Sequence, residues 1–381
     1  MRILVLIHEY PPVGGGGGKV AQDICRGLAA RGHEIQILTA HWSNLPLEEN
    51  QDGIIVQRLK SGRRLPYKAG FVAMLFFVLA SFWAGWRIIR RWKPDLIHVH
   101  FAVPAGVSAL ALSKLCRVPY VLTAHLGDVP GGVPEKTGRW FRWIYPFTPP
   151  IWKSARQVVA VSEFTRSIAL QHYPVAIQVI PNGVNLEELD PGEIKVNDPP
   201  QIVFAGRFVL QKNPLQVVRS LAVIKDLPWK CTMLGEGPLS GQVTEEVNRL
   251  QLGDRIALPG WVTPEEVQAS FRHSDILFLP SLSEGMPVVG LNALSMGLAI
   301  LASRIGGWAD LIAPGENGLL LDSKSSAEDW GEALHNLVGN PGRLLAFRRA
   351  SRQKAADFDL KKIVDSYETL FRQAAAPEKR K

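Results

Sequence analysis

Short β-branched runs alternate with stretches of helical period along nearly the whole chain. Residues 3–7, 35–39, 54–59 and 95–100 read as strands, and residues 120–123, 158–161 and 178–180 add three more. Between them, residues 20–30 carry apolar positions three and four apart and stop at Gly32, and residues 104–115 do the same after the fourth strand. Such alternation predicts a parallel sheet with helices on both faces. From Pro181 to Pro200 the pattern fails, because Pro, Gly, Asn and acids follow one another without an apolar period, and an interdomain linker is expected there. A second series then begins. Strands are expected at 202–205, 231–234, 256–258, 276–279, 299–302 and 319–321, with helices such as 215–224 and 327–337 between them. The predicted architecture is α/β, with doubly wound domains over residues 1–190 and 191–360. A terminal helix and tail, residues 361–381, are expected to pack back toward the N-terminal domain.

Composition narrows the class. With 381 residues, 46% hydrophobic and 20% charged, the chain is neither disordered nor fibrous. Three scattered cysteines, Cys25, Cys116 and Cys231, supply neither a disulfide framework nor a Cys-based zinc site, and a reducing cytoplasm is expected. Residues 3–7 run into His8, Glu9 and a Pro pair and read as a first strand, not as a secretory signal.

The net charge of +8 is unevenly placed. Residues 1–190 hold 21 Lys and Arg against 13 Asp and Glu, whereas residues 191–381 hold 22 of each. Between Asp52 and Asp95 lie nine basic residues, Arg58, Lys60, Arg63, Arg64, Lys68, Arg87, Arg90, Arg91 and Lys93, and no acid. Such a cluster calls for an anionic partner. Within it, residues 69–86 are uncharged, bracketed by Lys68 and Arg87, and carry Trp83 and Trp86 near one end. A single span here would split the sheet across a membrane, so the segment reads either as an interfacial helix with its flanking cations on lipid phosphates or as a helix buried against the sheet. The cations flank an apolar helix and are not interleaved with exposed aromatics, which fits lipid and not nucleic acid.

Chemistry in open α/β sheets belongs to loops at the carboxyl ends of strands. After the first strand comes Pro11-Pro12 and then Gly14 to Gly18, where backbone N–H groups can approach a phosphate or where the loop is simply flexible. After 202–205 comes a loop with Arg207, a planar fork, and Lys212, a point charge just before a helix; the pair suits a diphosphate. Further along, Glu284 sits in a Ser/Gly/Pro turn at a helix start, a place for a cap or for gripping sugar hydroxyls. Asp357 and Asp359 read as lead-in to the last helix, and His98 and His100 lack a third ligand nearby.

The order of these segments resembles glycosyltransferase family 4. It runs through Tyr10-Pro11-Pro12 with the glycines, Gly32-His33-Glu34, Asp95 to His100, Thr123-Ala124-His125, Ile180-Pro181-Asn182-Gly183, Gly206-Arg207 with Lys212-Asn213, Gly235-Glu236-Gly237-Pro238, Glu284-Gly285-Met286-Pro287 and Gly306-Gly307. The match covers residues 3 to about 371. The resemblance implies the GT-B fold, two Rossmann-like domains facing a cleft, and transfer of a sugar from a nucleotide donor with retention of configuration. It implies that Arg207 and Lys212 hold the donor diphosphate, that Gly15 and Gly16 approach it, and that His125 lies near the reacting sugar. It also implies that Glu284 is the first acid of a Glu-x7-Glu pattern, with Gly285, Met286 and Pro287 lining sugar and phosphate. Eight residues after Glu284 stands Asn292, where the family usually has the Glu that grips the ribose, so altered donor preference is expected.

No metal and no cofactor are expected beyond a UDP- or GDP-sugar as substrate. The acceptor is expected to be lipid-linked or a glycan on an anionic membrane surface, with the protein peripheral at the inner face of the cell membrane. The segment from Arg139 to Tyr145, with Trp152 and Lys153, is expected to add a lipid-facing or sugar-stacking rim, ordinary helix packing being the other reading of its aromatics. A nucleotide-sugar epimerase of the same fold and a non-catalytic donor-binding protein are the alternatives.

Overall fold

The computed structural model describes residues 1–65, 69–133 and 141–376. Lys68, Arg139, Trp140, the side chains of Phe141 and Arg142, and residues 377–381 lie outside the described residues. Two compact units emerge, one formed by Met1–Gly183 with Leu360–Lys381 and one by Val184–Asp359.

The first unit holds β1 (Arg2–Leu6), α1 (Gly16–Ala29), β2 (Glu34–Ala40), β3 (Glu48–Gln51), β4 (Ile54–Leu59), α2 (Phe71–Trp92), β5 (Leu96–His100), α3 (Ala105–Cys116), β6 (Tyr120–Ala124), α4 (Phe141–Ile144), α5 (Pro149–Lys153), β7 (Gln157–Ala160), α6 (Glu163–Leu170) and β8 (Gln178–Val179). Its sheet runs β3-β4-β2-β1-β5-β6-β7-β8, parallel except for β3, which pairs antiparallel with β4. The parallel strands read as near-continuous apolar runs because both faces are covered. Leu4, Leu6, Ile97 and Val99 meet Phe77 of α2, Ala109 and Leu112 of α3, and Trp152 of α5 in one core. On the other face, α1 packs on the last helix, where a Cβ at Gly27 would stand 2.5 Å from Val364 Cγ2.

The second unit holds β9 (Gln201–Ala205), α7 (Pro214–Val223), β10 (Lys230–Leu234), α8 (Ser240–Arg249), β11 (Ile256–Gly260), α9 (Pro264–Arg272), β12 (Ile276–Leu279), α10 (Val288–Ser295), β13 (Ala299–Ser303), α11 (Trp308–Leu311), β14 (Gly318–Leu321), α12 (Ala327–Val338) and α13 (Pro341–Ala355). The chain then returns to the first unit as α14 (Leu360–Ala375). The strand order is β11-β10-β9-β12-β13-β14, with all the pairings parallel. In each sheet the winding reverses once, between β1 and β5 and between β9 and β12, and the crevice outside those carboxyl ends is where a doubly wound sheet binds ligands. Local sequence sets the helix starts. At α9, Thr263 Oγ1 accepts from the Glu266 N–H at 3.2 Å while Glu266 Oε2 accepts from the Thr263 N–H at 2.7 Å, a reciprocal cap.

Several details differ from the expectations. Residues 184–190 pack with the second unit: the Val184 N–H donates to the Phe358 carbonyl at 2.9 Å and Ser295 Oγ to the Leu189 carbonyl at 3.1 Å. Helix α1 begins at Gly16, inside the glycine run. Arg58 and Arg63 are buried and bound within the fold, Arg58 to Glu49 and the Pro46 carbonyl, Arg63 to the His8 and Leu65 carbonyls, so neither belongs to a basic surface. Trp152 is fully buried and stacks on Tyr173 at 4.2 Å, which removes it from the expected rim; Trp143 and Phe147 are exposed.

Helix α2 is 22 residues long and two-faced. Ala73, Phe77, Ser81, Gly85 and Ile89, four residues apart, form its buried ladder. Ser81 Oγ hydrogen-bonds Ser108 Oγ at 2.8 Å, and a Cβ at Gly85 would stand 2.6 Å from Leu112 Cδ1, so the small residues let α2 lie directly on α3.

In the second unit, Arg348 of α13 ion-pairs with fully buried Asp275 and donates to the Gly297 carbonyl at 2.8 Å, while Asp275 also accepts from the Gln201 N–H at 2.7 Å. Replacing Arg348 with Met leaves a buried carboxylate short of its charge partner, and the expected loss is roughly 3 kcal/mol of unfolding free energy. Urea denaturation followed by circular dichroism reads it, and an unchanged midpoint would refute the assignment.

Candidate active site

In the second unit, the switch-point loops follow β9 and β12 and are stitched together. The Leu282 N–H donates to the Gln211 carbonyl at 2.7 Å, and Gln211 Nε2 donates to the Ser283 carbonyl at 2.9 Å. Across this seam Lys212 Nζ meets Glu284 Oε1 at 2.5 Å, with the Lys212 side chain 18% and the Glu284 side chain 8% exposed. The neighbouring loops hold the seam with backbone. A Cβ at Gly306, which has φ +55°, would lie 1.7 Å from the Glu284 carbonyl oxygen, and the Gly307 N–H donates to the Gly285 carbonyl at 2.6 Å. On the other flank, a Cβ at Gly235 would lie 2.1 Å from the Gly206 carbonyl oxygen.

The expected residues of this unit therefore gather at one place in the fold. Arg207, Lys212, Glu284, Gly285, Met286 and Pro287 occupy the two stitched loops, with Met286 and Pro287 buried and Pro287 capping α10. Asn292 stands half-buried on α10. Lys212 and Glu284 neutralise each other, whereas Arg207 is exposed and no described side chain partners it, so Arg207 carries the net positive charge of the site.

In the first unit, the switch point joins the loops after β1, β5 and β6. Gly14 has φ +100°, Gly15 is the N-cap of α1 with open space where a Cβ would be, and Gly16 begins the helix. Gly17 is the close approach, since a Cβ there would lie 2.6 Å from Phe101 Cζ and 3.5 Å from His125 Cε1. The imidazole of His125 stacks on Phe101 with centroids 4.5 Å apart, and its Nε2 hydrogen-bonds His100 Nδ1 at 3.2 Å. Behind it, His100 lies 4.2 Å from His98, whose Nε2 meets Thr123 Oγ1 at 2.9 Å. His8 completes the cluster at 5.0 Å from Phe101.

Burial pushes His125 and His8 down to about 4 and His98 down to about 3, and holds His100 well below its usual range. All four are neutral at pH 7, so His125 acts as a hydrogen-bonding dipole and not as a cation. Asp128, buried, ties two loops together: Oδ1 accepts from the Ala102 N–H at 2.7 Å and Oδ2 from the His125 N–H at 2.9 Å. Burial raises its carboxyl to about 7, against the pull of backbone N–H groups of His125, Ala102 and Val103. Sequence reasoning missed Gly17, Phe101 and Asp128, whose roles depend on neighbours far along the chain. The Asp three residues after His125 was the one signal for the last of them. Among the described residues no three His, Cys, Asp or Glu side chains gather as metal ligands.

Two consequences are measurable. Lys212→Met leaves Glu284 without its charged hydrogen-bond partner, and a loss of about 2 kcal/mol is expected, whereas Arg207→Ala leaves stability unchanged; thermal melts of both variants check this. The histidines, neutral when folded and protonated near 6.5 when unfolded, contribute stability that is lost as pH falls from about 6.5 toward 4, about 2 kcal/mol each at pH 5. Asp128 has the opposite sign, its contribution being lost as pH rises toward 7, but it is one group against several. Melting temperature is therefore expected to drop between pH 6.5 and 4.5, and less steeply in His98→Asn.

Comparison with known proteins gives the family and the fold. The family model described as Glycosyltransferase Family 4 matches residues 14–188, and that described as Glycosyl transferases group 1 matches residues 187–354. The D-inositol 3-phosphate glycosyltransferase of Pseudarthrobacter chlorophenolicus is 28% identical over 387 residues, covering 91% of this chain and 88% of its own. Among solved structures, sucrose-phosphate synthase from Thermosynechococcus elongatus superposes with a TM-score of 0.83 at 21% identity, over 98% of each chain. HepE of Anabaena, in complex with UDP and glucose, superposes with a TM-score of 0.76 at 18% identity, over 97% of this chain and 99% of its own. The fold is thus GT-B, and with the two family models together spanning residues 14–354, the chain belongs to the family 4 glycosyltransferases.

Proposed function

We propose that this glycosyltransferase moves a hexosyl-type sugar from a UDP- or GDP-sugar to a lipid-linked acceptor, with retention of anomeric configuration and without a metal ion, as a peripheral protein on the cytoplasmic face of the cell membrane. The observation that carries the reading is the exposed Arg207, without a side-chain partner among the described residues, on the same two stitched loops of one switch point as the Lys212–Glu284 pair. A donor diphosphate takes the exposed guanidinium of Arg207 and competes for Lys212, which frees the Glu284 carboxylate to accept from sugar hydroxyls. Gly285, Met286 and Pro287 line the sugar; in the first unit, Gly15 and Gly16 stand at a helix start whose N–H groups suit a phosphate.

In the transfer, an acceptor hydroxyl oxygen bonds to the anomeric carbon on the face from which the diphosphate departs. The carbon–oxygen bond to the phosphate breaks with both electrons going to the phosphate oxygen, and that oxygen takes the acceptor proton. Fixed cations and N–H dipoles aimed at the departing diphosphate supply the electrostatic stabilisation. Neutral His125 holds a sugar hydroxyl. Asn292 offers the ribose one donor and one acceptor instead of a carboxylate, which weakens or redirects donor preference. A neighbour solved in complex with UDP and glucose supports a nucleotide-sugar donor. Asn292 alone favours a second reading, a donor-binding protein that transfers nothing.

The test is turnover of a panel of UDP- and GDP-sugars with and without vesicles carrying bacterial lipid extract. One donor is expected to turn over, faster with vesicles, and Arg207→Ala is expected to lose at least about 100-fold in rate. An inverted product would overturn the retaining mechanism, and binding without turnover of any donor would establish the second reading.

A further inference from the structure

Helix α2 presents to solvent a face that no described residue of the first unit covers. Phe71, Val72, Leu75, Phe76, Leu79 and Trp83 are all exposed, Trp83 by 57%. Past Trp83 the exposed positions are Arg87, Arg90 and Arg91, none of them ion-paired among the described residues, and Arg90 lies over the Trp86 ring at 5.0 Å. Lys60 and Arg64 are exposed on the segment leading into the helix, and no acid occurs between Asp52 and Asp95. An apolar stripe with an aromatic residue near its end and cations beyond each end matches the cross-section of a lipid surface: acyl chains under the middle, phosphates at both ends. The opposite face of the helix is engaged, since the ladder from Ala73 to Ile89 lies on α3 through Ser81–Ser108 and Gly85–Leu112. Crossing a bilayer would require that face to leave the domain, so a lipid surface can take only the outer stripe.

We infer that α2 docks this protein in the plane of an anionic lipid surface, with Leu75, Leu79 and Trp83 among the acyl chains and Arg87, Arg90 and Arg91 on the phosphates. The docked helix packs close to the histidine cluster of the first unit. Phe77, on the buried ladder, lies 6.4 Å from His8, His8 lies 5.0 Å from Phe101, and Phe101 stacks on His125 at 4.5 Å. Two rings therefore separate the buried ladder of the lipid-facing helix from His125. The docking itself is independent of the reaction; its link to the acceptor rests on the reading under Proposed function.

The experiment is co-sedimentation of the full chain with phosphatidylcholine vesicles, with and without phosphatidylglycerol, alongside donor turnover. Binding is expected to require phosphatidylglycerol, to weaken with salt, and to be released by alkaline carbonate. Leu75→Glu with Leu79→Glu is expected to abolish it, and Arg87→Glu with Arg91→Glu, exposed positions that leave the core untouched, to weaken it at least about tenfold. Arg207→Ala is expected to keep vesicle binding while losing turnover. Equal binding to both vesicle types, resistance to carbonate, or a solution dimer that Leu75→Glu with Leu79→Glu separates into monomers would each overturn the docking. Vesicle binding by a wild-type chain that turns over no donor would uphold the docking and overturn the transfer reading instead.

Discussion

The second unit is organised around backbone lying directly on backbone. Where the loops leave the sheet, Gly235 closes on the Gly206 carbonyl and Gly306 on the Glu284 carbonyl at separations that leave no room for a Cβ. These contacts hold the β9 loop against the loop after β10 and the β12 loop against the loop after β13, while the Leu282–Gln211 and Gln211–Ser283 hydrogen bonds fix the β9 and β12 loops relative to each other and so set the Lys212–Glu284 pair. A carboxylate so deeply placed needs its cation at hydrogen-bond distance, and long side chains on loose loops would not supply it. The site is thus preorganised by residues that themselves have no chemistry.

The fold was legible because its strands are buried on both faces and so read as unbroken apolar runs, as in residues 3–7 and 276–279. Strand β3 was not legible: Glu-Glu-Asn-Gln carries no apolar residue and is a strand only through its ladder with β4 at the sheet edge. The start of α1 was not legible because glycine is a poor helix former, yet Gly17 and Gly18 sit in the first turn where nothing larger fits against Phe101 and the Glu9 carbonyl. The loops of the second unit were legible, since Arg207, Lys212 and Glu284 stand out in Gly- and Pro-rich turns. The histidine cluster was not, because it is assembled from β1, β5 and β6 ends, and sequence alone showed only that His98 and His100 share a strand.

Charge and apolarity in residues 58–93 were read from composition, and composition cannot distinguish a buried arginine from an exposed one. Arg58 and Arg63 turned inward because carbonyls of neighbouring loops needed donors, and Arg87, Arg90 and Arg91 stayed outside. Likewise eighteen uncharged residues did not say which side of the helix meets protein. That was decided by Ser81 and Gly85, small enough to let α3 approach, and by a partner serine that sits 27 positions further on.

Helix α14 returns to the first unit after the whole of the second has been passed, and it brings Tyr367 and Phe371 onto His98. A ribosome makes the chain from its N-terminus, so the first sheet waits with part of one face uncovered and His98 without its two ring partners while residues 184–359 are made and can close on themselves. The unit encoded first is therefore finished last. For a protein whose α2 carries an apolar face of its own, that interval is when a chaperone or a lipid surface has the most to offer.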